Sequence, residues 1–282
     1  MRERLYSSLL LTPPFSFFII FPSLSLWDSN ITLDCIFVSS AGRFYVRFSS
    51  TRALGLVVMH WADTPIHFID FEGNCASGVL EFGVVTLLGG CVLETHTRLC
   101  RATGRVRAED RAVHGLSEET VARCAPFSDE FARFTALRES GPLAAHYAHV
   151  ENSLLKSVWP YPRASPDFSR PGRPSGAVVD WGPWIDTGRL HAEIFPGLDS
   201  GKLSRLTVAL GLQDELDALA REHCPPGRAR YHAALYDALA AALLLLALGR
   251  RKEFAAMRVP WLLQMSTASP AKRDALRQDE LF

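Results

Sequence analysis

From Ala238 to Leu248 the sequence reads ALAAALLLLAL, eleven apolar residues without interruption. A helix that is apolar on every side is a buried one, and this run falls well short of the roughly 20 residues needed to cross a bilayer. It is therefore predicted to end a long core helix running from about Ala229 to Leu248. The chain has the material for such a core: 282 residues, 48% of them hydrophobic, suit one ordinary domain with appendages or two small ones. What makes the helix informative is Asp237, directly ahead of the apolar run. A buried carboxylate without a partner costs several kcal/mol. Asp237 thus needs a counter-charge, for which a metal ion is the obvious candidate, unless it lies on an exposed stripe. His232 stands about 140° away around a continuous helix, so the two share a site only if His232 lies at or before the helix start.

A second signal is IHFIDFE, starting at Ile66. Residues i and i+2 of a strand project from one face, which aims Asp70 and Glu72 into one small volume. Two like charges there raise one another's pKa unless a divalent cation neutralises them, and hard oxygen ligands suit magnesium or manganese. A DxE alone is common on solvated edges, but the apolar flanks set these carboxylates at the end of a core strand. By the same alternation Phe71 points into the core. VLEFGVVTLL after Gly78 and a strand from Cys91 to Cys100 complete a β-meander.

Downstream, Ser117 with Glu118 and Glu119 opens a short helix, and Phe127, Phe131, Phe134 and Leu137 recur at helical spacing, with Ser128 as a candidate cap. PLAAH reads as a short buried strand and AHVENSLLKSVW as a helix bearing Glu151, which is the α/β rhythm. The segment 160–184 is an insertion rich in proline that cannot be regular structure. Its Arg163, Arg170 and Arg173, with Trp159, Tyr161, Phe168, Trp181 and Trp184, suit either a substrate flap or a structural loop over the core. KLSRLTVALGL and QDELDALAREH read as further helices, and the tail beyond Pro260 as polar and partly loose.

A DxE strand, a carboxylate at a strand–helix junction, then His, four residues and Asp resembles the DEDDh exonucleases. These share the ribonuclease-H-like fold, and the family includes the proofreading subunit of bacterial DNA polymerase III and ribonuclease T. The resemblance covers roughly Ile66 to Leu248, supported by HGLSEE at His114, WIDTGRL around Asp186 and Thr187, and KLSRLTVALGL. It implies an α/β fold with a mixed sheet flanked by helices, and 3'-to-5' release of nucleoside monophosphates from single-stranded ends of DNA or RNA. Two divalent cations, Mg2+ or Mn2+, are implied, with Asp70 touching both, Glu72 and Asp237 holding the one that activates water, and Glu151 serving the other. His232 is implied as general base, a residue type that titrates near neutrality. For the nucleotide, the resemblance points to Gly73, His114, Leu116, Ser117, His146 and Tyr147. A DNA polymerase as partner and a homodimer are implied by analogy only.

The sequence departs from the family in one motif. Where the family pattern is HNAxFD, this chain has HYAHVE, so that Glu151 is one methylene longer than the usual Asp and Tyr147 replaces an Asn. A catalytically impaired nucleic-acid-binding or polymerase-associated module of the same fold is therefore the alternative.

Residues 1–58 differ from the rest, being rich in Phe, Ser and Leu, poor in charge and broken by Pro13, Pro14 and Pro22, without a sustained period. A signal peptide and a membrane anchor fit poorly. The preferred reading is translation from Met59, with the preceding residues poorly packed or not native; this leaves an exonuclease domain at 59–258 and a tail at 259–282. Cys35, Cys75, Cys91, Cys100, Cys124 and Cys224 form no CxxC pair; they read as free thiols of a reducing, cytoplasmic protein without membrane association, with a Cys91–Cys100 bridge the open alternative. Thirty basic residues balance thirty acidic ones. No global field attracts a polyanion, which argues against a wrapping DNA binder but leaves room for an enzyme that grips a few nucleotides.

Overall fold

The computed structural model describes residues 30–39, 42–51, 59–171, 177–198 and 201–267. The chain divides into two compact units, 1–57 and 58–282. In the first, β1 (Asn30–Ser39) and β2 (Gly42–Thr51) pair as an antiparallel hairpin. These strands form in a segment without a sustained period: β-branched and aromatic residues favour extended backbone even without clean alternation. The expected poor packing of 1–58 otherwise falls outside the described residues.

In the second unit β3 (Ile66–Asn74), β4 (Gly78–Leu88) and β5 (Cys91–Leu99) form the expected antiparallel meander. Next come α1 (Ala108–His114), α2 (Glu118–Val121), a 3-10 turn (Phe127–Glu130) continuing into α3 (Phe131–Ser140), β6 (Leu143–Ala145) and α4 (His149–Val158). The minimal strands β7 (Ser165–Pro166) and β8 (Ala177–Val178) pair with each other, and β9 (Ile185–Asp186) leads into α5 (Thr187–Ile194). The last elements are α6 (Leu203–Ala209), α7 (Gln213–His223), α8 (Ala234–Gly249) and α9 (Val259–Met265). The sheet order is β5-β4-β3-β6-β9, with β6 parallel to β3 and β9 parallel to β6. This is the α/β, ribonuclease-H-like mixed sheet flanked by helices that the sequence implied.

Strand alternation sorts the core into two layers. Ile66 and Phe68 of β3, with Val85 and Leu87 of β4, join the cluster around α8. Ile69, Phe71, Phe82 and Val84 face the other way, onto Phe127, Phe134, Leu154, Trp181 and Trp184. Phe71 makes an edge contact with Phe127, ring centroids 5.3 Å apart, as its alternation required. On the α8 side Gly83 takes the place of a side chain: a Cβ there would lie 2.4 Å from the carbonyl carbon of Ala234. The helix start therefore rests directly on the strand.

Two expectations are corrected: the start of the long helix, and the absence of regular structure from 160–184, where β7 and β8 pair. The long helix begins at Ala234, not Ala229, because His232 adopts a left-handed φ of 62° and Ala233 is extended. The tail expected to be partly loose is packed as far as residue 267, where α9 buries Val259, Leu262, Leu263 and Met265 against the α8 layer and Pro260 suits the first turn of a helix; the remainder lies outside the described residues. In 160–184 the loop reading holds over the flap reading for the aromatic residues. Trp181, Trp184 and Phe168 are buried, and the Arg138 guanidinium donates to the Pro166 and Gly182 carbonyls. Tyr161 is exposed, whereas Arg173 lies outside the described residues. Cys75 and Cys91 are exposed free thiols and Cys100 is buried, so the Cys91–Cys100 bridge is absent. No helix among the described residues is long and apolar enough to cross a membrane.

Candidate active site

Beyond His67 and Phe68, where β3 pairs in parallel with β6, β3 carries Asp70 and Glu72 on the α8 face. Opposite Asp70 in the β4 register stands Gly83, and opposite Glu72 stands Glu81. Because Gly83 lets α8 approach so closely, Asp237 in the first turn of α8 comes down beside both β3 carboxylates. Glu151 arrives from the neighbouring layer, in the first turn of α4 just beyond the end of β6, with its carboxylate buried. His232 is exposed at the rim. One ligand atom each from Glu72, His232 and Asp237 lies within 4.8 Å of the others.

The electrostatics of this cluster are severe. Burial, reinforced by Asp237, Glu72 and Glu151, holds the Asp70 carboxyl well above its ordinary range. Burial and the neighbouring Asp237 and Glu81 push Glu72 up to about 8. Glu151 also rises to about 8, from burial and the nearby Asp186, Glu72 and Asp237. Asp237 rises to about 7, again mainly through burial, although the His232 N–H donates to it and works in the opposite direction. Oε2 of Glu151 and Oδ1 of Asp237 are buried and accept no hydrogen bond among the described residues. Orphaned carboxylate oxygens in a buried cluster are costly. Hard oxygen donors of this kind match Mg2+ or Mn2+, so the residues fit a divalent cation.

The surrounding loops are fixed by Asp186 and Thr187 of the WIDTGRL segment, and by Ser266, which sequence reading passed over. Asp186 accepts the backbone N–H groups of Tyr147 (3.0 Å), Ala148 (3.2 Å) and Arg189 (3.2 Å), tying the β6–α4 turn to the start of α5. Its own N–H donates to Ser266 Oγ at 2.8 Å, so the segment after α9 buttresses the site. Tyr147 has φ 60°, and with His232 it makes up the non-glycine residues of positive φ among the described residues. Such backbone persists only where surrounding bonds over-determine it. The His146 Nδ1 lies 3.1 Å from Thr187 Oγ1, and the Tyr147 ring covers Gly188, where a Cβ would meet it at 3.0 Å.

The other nucleotide-pocket candidates divide. Gly73 has φ 117° and directly follows Glu72 at a register shift. His114 is buried, its Nδ1 accepting the Leu116 N–H at 3.0 Å, and its carbonyl accepts from Arg228 and Arg230. Burial lowers its pKa. The Leu116 side chain is instead part of a small core cluster with Leu80 and Val121, and Ser117 caps α2 in a reciprocal box with Thr120. Among the residues missed, Glu81 had a readable signal: in the β3–β4 hairpin it falls opposite Glu72, a like-charged pair that needs a reason.

No protein-family model matches the chain, and no curated protein matches it. Solved structures do. The structure of E. coli exonuclease I with a 5cy-dA13 oligonucleotide is similar with a TM-score of 0.50 at 14% identity, over 76% of this chain and 45% of that one. This chain thus spans less than half the length of exonuclease I. Exonuclease X in complex with 5' overhanging duplex DNA is 22% identical, over 70% of this chain and 99% of its own, with a TM-score of 0.48. A 3'-exonuclease described in specific recognition of a histone mRNA stem-loop is 16% identical over 67% of this chain and 81% of that one, with a TM-score of 0.46. At these identities the likeness is one of fold.

Proposed function

We propose that the chain is a metal-dependent 3'-to-5' exonuclease that releases nucleoside monophosphates from single-stranded DNA or RNA ends. The observation that carries this reading is the convergence of Asp70, Glu72, Glu151 and Asp237 from three elements on one buried volume, with two orphaned carboxylate oxygens and His232 at its rim. Those four carboxylates would hold two divalent cations, Mg2+ or Mn2+. When bound, the ions neutralise developing charge on the phosphodiester and lower the pKa of the attacking water. The chain's own residues do the remainder. The His232 ring, exposed and beside Glu72 and Asp237, takes the proton of the water as it attacks. Gly73, at the end of β3, leaves the backbone open to a terminal nucleotide. His114, His146 and Tyr147 border the pocket, their positions fixed by Arg228, Thr187 and Asp186. The nucleic-acid partners named for the similar structures suit this substrate class.

The test is digestion of matched DNA and RNA oligonucleotides, single- and double-stranded, with each metal. Mononucleotide release from the 3' end is expected, lost roughly 10⁴-fold in Asp70→Ala. Release that survives that change, or that needs no metal, overturns the reading. A second reading follows from Glu151, whose longer side chain stands where the family has Asp: a binding module without turnover. It is favoured if oligonucleotide binds yet Mn2+ supports no release.

A further inference from the structure

We propose that Glu81 and Arg228 form a clamp that positions the His232 imidazole, an inference that rests on the exonuclease reading and deepens it. Glu81 is buried among the carboxylates yet differs from them in having both oxygens engaged. Arg228 Nε donates to Oε1 at 3.0 Å, Arg228 NH2 donates to Oε2, and the Ala234 N–H donates to Oε2 at 3.0 Å. It therefore has no oxygen left over for a cation, in contrast with Glu151 and Asp237. Its work is done on the chain.

Arg228 uses its remaining donors on backbone. NH1 donates to the His114 carbonyl at 2.8 Å and NH2 reaches the His232 carbonyl at 3.3 Å. His232 is left-handed, a conformation an L residue with a bulky side chain adopts only under constraint. That constraint is visible on both sides of the residue. Its N–H donates to Asp237 Oδ2 at 2.9 Å, its C=O is held by Arg228, and two residues on, the Ala234 N–H is held by Glu81. Asp237 thus fixes one side of His232, while the Glu81–Arg228 pair fixes the other and ties the loop to the end of α1. The pair is also well matched chemically: a guanidinium fork on a buried carboxylate is geometrically specific in a way that an ammonium cannot reproduce. Glu81 and Arg228 are positioning residues; neither needs to touch substrate.

The test compares the full-length chain with Arg228→Lys, which keeps the charge but loses the fork, and with Glu81→Gln. One readout is steady-state hydrolysis of a short single-stranded oligonucleotide with Mn2+. The other is the imidazole NMR resonance of His232, assigned by its disappearance in His232→Ala. In both variants kcat is expected to fall about 10- to 100-fold with KM within about twofold, and the His232 resonance to broaden or split. A folded Arg228→Lys protein with unchanged kcat overturns the clamp, as does a fall in kcat with an unchanged resonance. Should Arg228→Lys not fold, Glu81→Gln is read by the same criteria. If the unaltered chain hydrolyses nothing, the exonuclease reading fails, and the resonance alone decides whether the clamp exists.

Discussion

The two faces of the central sheet are built from different chemistry. The face toward α3 and α4 is aromatic: Phe71, Phe82, Phe127, Phe134 and Trp159 meet at centroid distances between 4.7 and 5.8 Å. The face toward α8 is mainly aliphatic, with Ala and Leu on the helix and Phe68 as a ring from the strand, and where it carries Asp70, Glu72 and Glu81 the strand residue under the helix start is Gly83. Large rings hold layers apart and lock them through edge contacts. Small residues let backbones approach closely enough for an aspartate on a helix to share a volume with carboxylates on a strand. The aromatic face supports; the small-residue face concentrates charge.

That contrast can be broken from either side. Phe134→Ala removes a fully buried ring from the aromatic face. It is expected to cost about 3–5 kcal/mol of stability in chemical denaturation, while the kcat of the folded fraction stays close to that of the parent. Gly83→Ala acts on the other face, where its Cβ would meet the Ala234 backbone at 2.4 Å and the helix must lift. A smaller loss, about 1–3 kcal/mol, is expected here, but with a disproportionate fall in kcat and weaker Mn2+ binding by calorimetry. If both variants lose activity only in proportion to stability, the division of labour is wrong.

The smallest expected effect sharpens the electrostatic half of the comparison. Glu72 and Glu151 are pushed up to about 8 and Asp237 to about 7 in the folded chain, above the ordinary carboxylate values of the unfolded one. A raised folded pKa stabilises when the group is protonated. That contribution is complete below about pH 4 and is lost as pH rises through 7 to 8. Metal-free protein should therefore melt about 5 °C higher at pH 6 than at pH 9, and saturating Mn2+ should shrink the difference. Melting independent of pH in the metal-free state would remove the case for a buried, repelling cluster.

Much of this was legible before any coordinates. Asp70 and Glu72 followed from strand alternation, and the angle between His232 and Asp237 on a continuous helix set the condition under which the two could share a site. The meander followed from β-branched runs separated by glycine. What was not legible depended on partners distant in sequence. Arg228 pairs with Glu81 across 147 positions, and Ser266 supports Asp186 across 80; no local period encodes either. The start of α8 was misjudged because alanine-rich text favours helix, whereas the bonds holding His232 left-handed come from Asp237 and Arg228. Glu81 was overlooked because its signal, a like charge across from Glu72, becomes readable only once the hairpin register is worked out.

Between Glu72 and Gly73 the β3–β4 register slips, leaving Leu80 of β4 as the extra residue. Everything before the slip, including Asp70 opposite Gly83 and Glu72 opposite Glu81, obeys one phase; the turn after it obeys another. The slip therefore insulates the carboxylates from the hairpin tip. The tip itself is held: the Asn74 side chain donates to Asp110, Ser77 is buried, and the Ser77 carbonyl accepts the Thr103 and Gly104 N–H groups. The carboxylates are anchored to the body of the sheet, and the hairpin tip beside them is anchored separately, to α1 and to the loop after β5.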